Sequence, residues 1–153
     1  MDFITHEPVY LISMNMPFRI IRRETNNKSL GCKFHWHEQL EFYYILKGGV
    51  QIICNGKKDW LNKGDIAFVN WCMPHKSLEF LDDTLHYIVQ FDTSKLSPES
   101  YQICQTDYIS QITKDIHAMP TFIRNHVEMG YIFQNIICEY EEKQSGYELA
   151  ITG

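Results

Sequence analysis

What this sequence lacks narrows it first. No C-x-x-C pair occurs among its five cysteines, Cys32, Cys54, Cys72, Cys104 and Cys138. An odd count at irregular spacing makes neither a disulfide framework nor a zinc finger, so reduced, buried thiols are expected. Basic charge is scarce as well. Lys and Arg number 14 against 19 Asp and Glu, a formal net charge of -5, and the pI is near 5.8. With no basic cluster to hold phosphates, this segment alone does not bind DNA or RNA. No apolar run approaches membrane-spanning length, and the start Met1-Asp2-Phe3 has no basic stretch leading into an apolar one. A soluble, cytoplasmic protein without a membrane partner is therefore expected.

What is present suits one compact domain. The 153 residues are 44% hydrophobic and 14% aromatic, enough for a real core. Residues 1–16 show no clear period, and Pro8 and Pro17 discourage a long helix, so this stretch reads as an arm or leading edge strand. Phe18 to Glu24 reads as a strand ended by the turn-prone Asn26-Asn27. From Glu41 to Leu46 both faces are apolar, Tyr43 and Ile45 on one and Phe42, Tyr44 and Leu46 on the other, which marks a central strand. Gly48-Gly49 turns the chain into Val50 to Cys54. Asn55-Gly56 is a hairpin signal, because both central positions of a type I′ turn need positive φ. Lys57 to Leu61, Ile66 to Val69, His75 to Phe80 and Leu85 to Phe91 complete a series of short strands between turn signals. The class predicted is a β-sandwich or jelly-roll barrel.

Chemistry concentrates in His35-Trp36-His37-Glu38-Gln39-Leu40-Glu41. Residues two and four apart on a strand point to the same side, so a continuous extended run puts His35, His37 and Glu41 on one face. Trp36 then points the other way, into packing. His75 follows the apolar run Ile66 to Val69 and Pro74, and begins a second strand facing the same cavity. Three imidazoles and a carboxylate suit a divalent transition metal such as Zn, Mn, Fe or Ni, with coordination positions left open. The same groups, without metal, also suit hydrogen bonding to a polar ligand. Tyr43 shares the parity of Glu41 and is a further pocket candidate, against the alternative of a core tyrosine. Trp71, in the loop before His75, is a candidate roof for the cavity mouth, against a dimer contact or a plain surface ring. His86 and Gln90 share parity on the last strand and are minor candidates. Trp60 reads as packing, and His6 and His117 have no partner by spacing.

These residues resemble the motifs of the cupin superfamily. The first motif has His-x-His, three residues, Glu, six residues and Gly, met here by His35, His37, Glu41 and Gly48. The second is met in spacing by Gly64 and His75, with Asn70 and Cys72 where Pro and Gly are usual. Gly31 stands only four positions before His35, displaced from the first motif's usual leading Gly. The resemblance implies a cupin-type jelly-roll barrel lined by the histidines and the glutamate.

Past Ser94 the period changes. From Phe122 onward, Phe122, Met129, Phe133, Ile136, Ile137 and Tyr140 recur on one helical face, with Ile123, Val127, Tyr131 and Cys138 on a second. Two stripes predict two neighbours, one of them a partner subunit, with Phe133, Ile136, Ile137 and Tyr140 as the dimerisation face. His126 falls on the apolar face as a core or interface residue. Ser145-Gly146 breaks the helix and Tyr147 to Ile151 begins another, so that the chain looks cut within it. The domain reading is thus an arm and barrel over 1–94 and a helical dimerisation and linker segment over 95–153.

A barrel followed by helices in this order resembles the N-terminal sensor region of AraC-type transcriptional regulators. That resemblance implies a homodimer, a small-molecule effector, commonly a carbohydrate, and DNA binding only through a C-terminal region absent from this chain. It further implies a binding module with no required cofactor and no catalytic residue, in other words not an enzyme. The competing expectation is a metal-dependent cupin enzyme of isomerase or dioxygenase type, using His35, His37, Glu41 and His75 as ligands.

Overall fold

The computed structural model describes residues 3–8, 16–25, 31–95, 108–115 and 117–152. The Asn26-Asn27 turn, Cys104 and most of the expected arm lie outside them. Ten strands are found among the described residues: β1 (Thr5–His6), β2 (Phe18–Thr25), β3 (His35–Trp36), β4 (Leu40–Lys47), β5 (Gly49–Cys54), β6 (Lys57–Asn62), β7 (Ile66–Val69), β8 (His75–Phe80), β9 (Thr84–Phe91) and β10 (Phe122–Ile123). Three α-helices accompany them, α1 (Tyr108–Lys114), α2 (Val127–Glu142) and α3 (Tyr147–Thr152). Among the described residues, no helix is long and apolar enough to cross a membrane.

The strands form two five-stranded sheets, in the orders β1-β3-β8-β5-β6 and β10-β7-β4-β9-β2. Apolar residues from both meet between them, Tyr43, Ile45 and Ile88 from one and Val50, Ile52, Cys54 and Leu61 from the other. This is the jelly-roll arrangement that period two and the turn residues predict. Asn55 and Gly56 both have positive φ, 49° and 73°, as the β5–β6 hairpin requires. Cys32, Cys54, Cys72 and Cys138 are free thiols; Cys54 is buried, and Cys32 and Cys138 are exposed.

The second apolar face of β4 has its own cover. Phe42, Tyr44 and Leu46 point away from the barrel interior and join Phe18, Ile20, Tyr87 and Val89 in a second core under α2. Phe133 on α2 is 5% exposed, its ring 5.5 Å from both Phe42 and Tyr44. Burying a side chain of this size contributes about 1.5–3 kcal/mol.

The start of the helical region departs from its periodicity. Phe122 and Ile123 are a strand, paired with Ala67 and Ile66 of β7, so the sheet draws residues from both sides of the expected boundary at 94. Asn125 follows at φ 41°, and the helix begins only beyond it. Asp65 fixes this lead-in, accepting hydrogen bonds from Arg124 Nη1 at 2.7 Å and Asn125 N at 3.2 Å. Arg124 also pairs with Asp59. His126 is not a core residue: it is the exposed N-cap of α2, its side chain accepting from Met129 N at 3.4 Å.

The stripe expected as a dimerisation face lies against the chain's own sheet. Phe133 and Ile137 are buried in the chain's own second core, and Ile136 and Tyr140 pack against the same cluster. The outer face of β4 and β9 is too apolar to stand in water, and this stripe of α2 covers it. The other stripe is open, with Val127 83% and Tyr131 67% exposed.

Candidate metal centre

The run from His35 to Glu41 is not one strand. β3 ends at Trp36 and β4 begins at Leu40, with a bend at Glu38-Gln39 between them. His35 therefore sits on the first sheet, directly opposite His75 of β8, while Glu41 sits on the second, opposite Val69 and Gln90. The bend carries the chain across the barrel, with His37 at the crossing. Ligand groups thus converge from two sheets rather than from one face of one strand.

His35, His37 and His75 are all buried, and one nitrogen from each lies within 4.8 Å of the others. Each ring is fixed in the same way. Nδ1 of His35, His37 and His75 lies 2.8, 3.1 and 2.9 Å from the backbone carbonyls of Lys33, Gln39 and Met73. A carbonyl only accepts, so each Nδ1 donates, and Nε2 is directed at Glu41 in His37 and His75 and at Glu7 in His35.

Glu41 completes the group. It is 2% exposed, with Oε2 at 3.1 Å from His37 Nε2 and Oε1 at 3.1 Å from His75 Nε2. Gln90 Nε2 donates to Oε2 at 2.6 Å. Burial by itself would raise the Glu41 pKa, but the His37 and His75 imidazoles hold it well below the usual carboxylate range. Glu41 Oε1 and His75 Nε2 lie close without hydrogen-bond geometry, and both remain unpartnered. Two unpartnered buried ligand atoms facing each other fit a cation between them. The donor set of imidazole nitrogens and a carboxylate suits a divalent transition metal and does not select among Zn, Mn, Fe and Ni.

Two contributors have no sequence signal. Glu7, beside β1 on the N-terminal arm, contacts His35 Nε2 at 2.8 Å, brought there by the parallel pairing of β1 with β3. Cys32 Sγ accepts from Ser77 N at 3.2 Å. Burial opposes a charge on His35, yet its bonds to Cys32, Glu7 and the Lys33 carbonyl prevail and raise its pKa to about 10. His6, without a partner by spacing, contacts Glu38 at 3.2 Å and lies on the Trp36 ring at 4.5 Å.

A cavity of about 340 Å³ opens beside the centre, lined by His35, Glu41 and Tyr43 and by Ser77, His86 and Gln90 among others. Tyr43 is both things weighed for it, 2% exposed in the barrel core and part of the cavity wall. Trp71 does not roof the cavity: it is 51% exposed and absent from the lining. Its loop turns outward at Cys72, φ 54°, whose N–H is held by the His37 carbonyl at 2.9 Å.

The described fold is that of the cupins, and a cupin domain family model matches residues 25–83. Solved structures similar to the chain include three with TM-scores below 0.5. A proposed mannose-6-phosphate isomerase from Ralstonia eutropha JMP134 is 21% identical over 50% of this chain and 76% of that one, with a TM-score of 0.45. A Cupin 2 conserved barrel domain protein from Salinispora arenicola is 17% identical, over 57% and 73%, with a TM-score of 0.46. A proposed oxalate decarboxylase from Thermotoga maritima is 26% identical, over 49% and 67%, with a TM-score of 0.45. No curated protein matches. The expectation that the chain is not an enzyme is corrected here: the buried His35, His37 and His75 form a cluster able to hold a metal.

Proposed function

We propose that this chain is a metal-dependent cupin enzyme of isomerase or dioxygenase type, acting on a small polar molecule in the barrel cavity. The observation that carries the reading is the cluster of three buried imidazoles, each with Nδ1 tied to a carbonyl, with Nε2 of His37 and His75 turned to a buried ionised Glu41. His35, His37, Glu41 and His75 are the residues that would hold the metal. When bound, it would supply Lewis-acid polarisation of a substrate oxygen. The chain's own residues do the rest. The carbonyls of Lys33, Gln39 and Met73 keep the imidazoles oriented, Gln90 positions the Glu41 carboxylate, and the walls around Tyr43 and Ile88 limit water around the substrate.

The test is metal analysis of purified protein before and after chelator, followed by turnover assays of the loaded and stripped forms. A stoichiometric transition metal on which turnover depends is the expected result. Protein that takes up no metal at saturating concentration overturns the reading.

One observation favours a second reading. Helix α2 leaves Val127, Tyr131 and Ile132 exposed beside the covered stripe, an apolar surface suited to a partner. It supports an effector-sensing domain of an AraC-type regulator, in which a filled barrel, carrying a carbohydrate or similar effector, biases helices shared in a homodimer and so a DNA-binding region beyond this chain. Sedimentation with and without a bound ligand tests it, and a monomer under both conditions removes it.

A further inference from the structure

Beyond the four candidate metal ligands, the cavity wall from the Gln90 row to the His86 row carries charge and unpartnered hydrogen-bonding atoms. On the second sheet, alternate residues face the interior in registered rows. Gln90 lies between Arg19 and Glu41, Ile88 between Ile21 and Tyr43, and His86 between Arg23 and Ile45. The His86 row is four residues along β9 from the Gln90 row, roughly 13 Å from the carboxylate end.

His86 is 2% exposed. Its ring lies nearly parallel to Tyr43 at 6.1 Å and to Phe80 at 5.6 Å, which fixes its plane, and Nδ1 has no hydrogen-bond partner. Burial first, and Arg23 second, lower its pKa to about 4. The ring is thus neutral, with one nitrogen donating and the other accepting. Gln90, 3% exposed, spends its amide nitrogen on Glu41, and its Oε1 has no partner. Both residues line the cavity, as does Arg23. Arg23 makes no hydrogen bond or ion pair with any described residue, whereas the neighbouring carboxylates are taken, Glu24 by Arg22 and Glu7 by His35, each at 2.8 Å.

Buried polar atoms without partners are costly and rare. Two of them, with a guanidinium in the same wall that no described residue pairs, match a molecule that brings hydroxyls and one negative charge. A single guanidinium pairs with a carboxylate through two parallel hydrogen bonds. A phosphate dianion fits less well, because Glu7, Glu24 and Glu41 line the same space.

We propose that the cavity takes a hydroxylated carboxylate no larger than a monosaccharide, its carboxylate on Arg23 and its hydroxyls on His86 and Gln90. This builds on the metal-enzyme reading by naming the class of substrate that the centre acts on. A volume of about 340 Å³ lies at the small end of ligand pockets.

The test is calorimetric titration of the full chain with matched probes: glycolate, glycerate, gluconate and glucuronate against ethylene glycol, glycerol, sorbitol and glucose. At least one acid is expected to bind about tenfold or more tightly than its neutral counterpart. Arg23→Gln should abolish that preference. His86→Phe, which keeps the ring between Tyr43 and Phe80, should weaken the bound acid by about tenfold while leaving metal content unchanged. Equal binding of acid and neutral probes, an acid preference that survives Arg23→Gln, or no binding by any probe overturns the proposal. Metal content measured on the same samples separates the two claims. Acid binding with the expected variant pattern in protein that takes up no metal removes the enzyme reading alone, and metal uptake without probe binding removes the substrate class alone.

Discussion

Zinc added to chelator-treated protein should raise its melting temperature by about 5–10 °C, and His75→Ala should remove the rise. The three imidazoles place their ligand nitrogens within 4.8 Å of one another, each held by a backbone carbonyl, so little ordering is left for a metal to impose. A ligand that binds only the folded chain, at one hundred times its dissociation constant, stabilises it by about 2.7 kcal/mol. For a chain of this size each kcal/mol moves the melting temperature by roughly 2–4 °C, which gives the stated range. His75 is fully buried, so its loss also destabilises the chain without metal; the informative quantity is the difference with and without zinc in each variant. Scanning fluorimetry, with circular dichroism as a check on folding, reads it. No shift with zinc, manganese, iron(II) or nickel, or a full shift retained by His75→Ala, refutes the reasoning.

Further expectations concern the scaffold. Phe133→Ala removes a buried ring stacked on Tyr44 and should cost about 3–5 kcal/mol in urea unfolding; a loss under 1 kcal/mol means that α2 is not docked as described. Asp65→Ala leaves Asn62 N and Asn125 N without their acceptor and takes one of several from Arg124, and should cost about 2–3 kcal/mol, measured in the same way, with an unchanged midpoint as the contrary result. Val127→Asp, on the exposed stripe, should change stability by no more than about 0.5 kcal/mol; if the stripe is an interface between copies, sedimentation shifts toward monomer.

Period-two alternation, Gly48-Gly49 and Asn55-Gly56 were enough to find most of the strands, because they act over a few residues and need no knowledge of distant neighbours. The two-sided apolar pattern of Glu41 to Leu46 likewise announced a strand covered on both faces. His35, His37, Glu41 and His75 were legible as a group, although through a parity argument that assumed one continuous strand. The bend at Glu38-Gln39 is what divides them between two sheets, and the curvature of the barrel brings them back together.

Other features had no local signature at all. Glu7 reaches His35 only because β1 pairs in parallel with β3. Phe122 and Ile123 fit a helical stripe as well as a strand, and pairing with β7 decided between them. Periodicity likewise gave α2 two apolar stripes, but which of them meets the barrel depended on Phe42, Tyr44 and Val89 being presented together by strands far apart in sequence. The sequence by itself determined the jelly-roll class and the residue types of the centre, since both rest on short-range spacing. Tertiary structure decided which sheet carries each candidate ligand, the placing of Arg23 beside His86 in the cavity wall, and the face of α2 left to solvent, since each of these arises where elements distant in the chain meet.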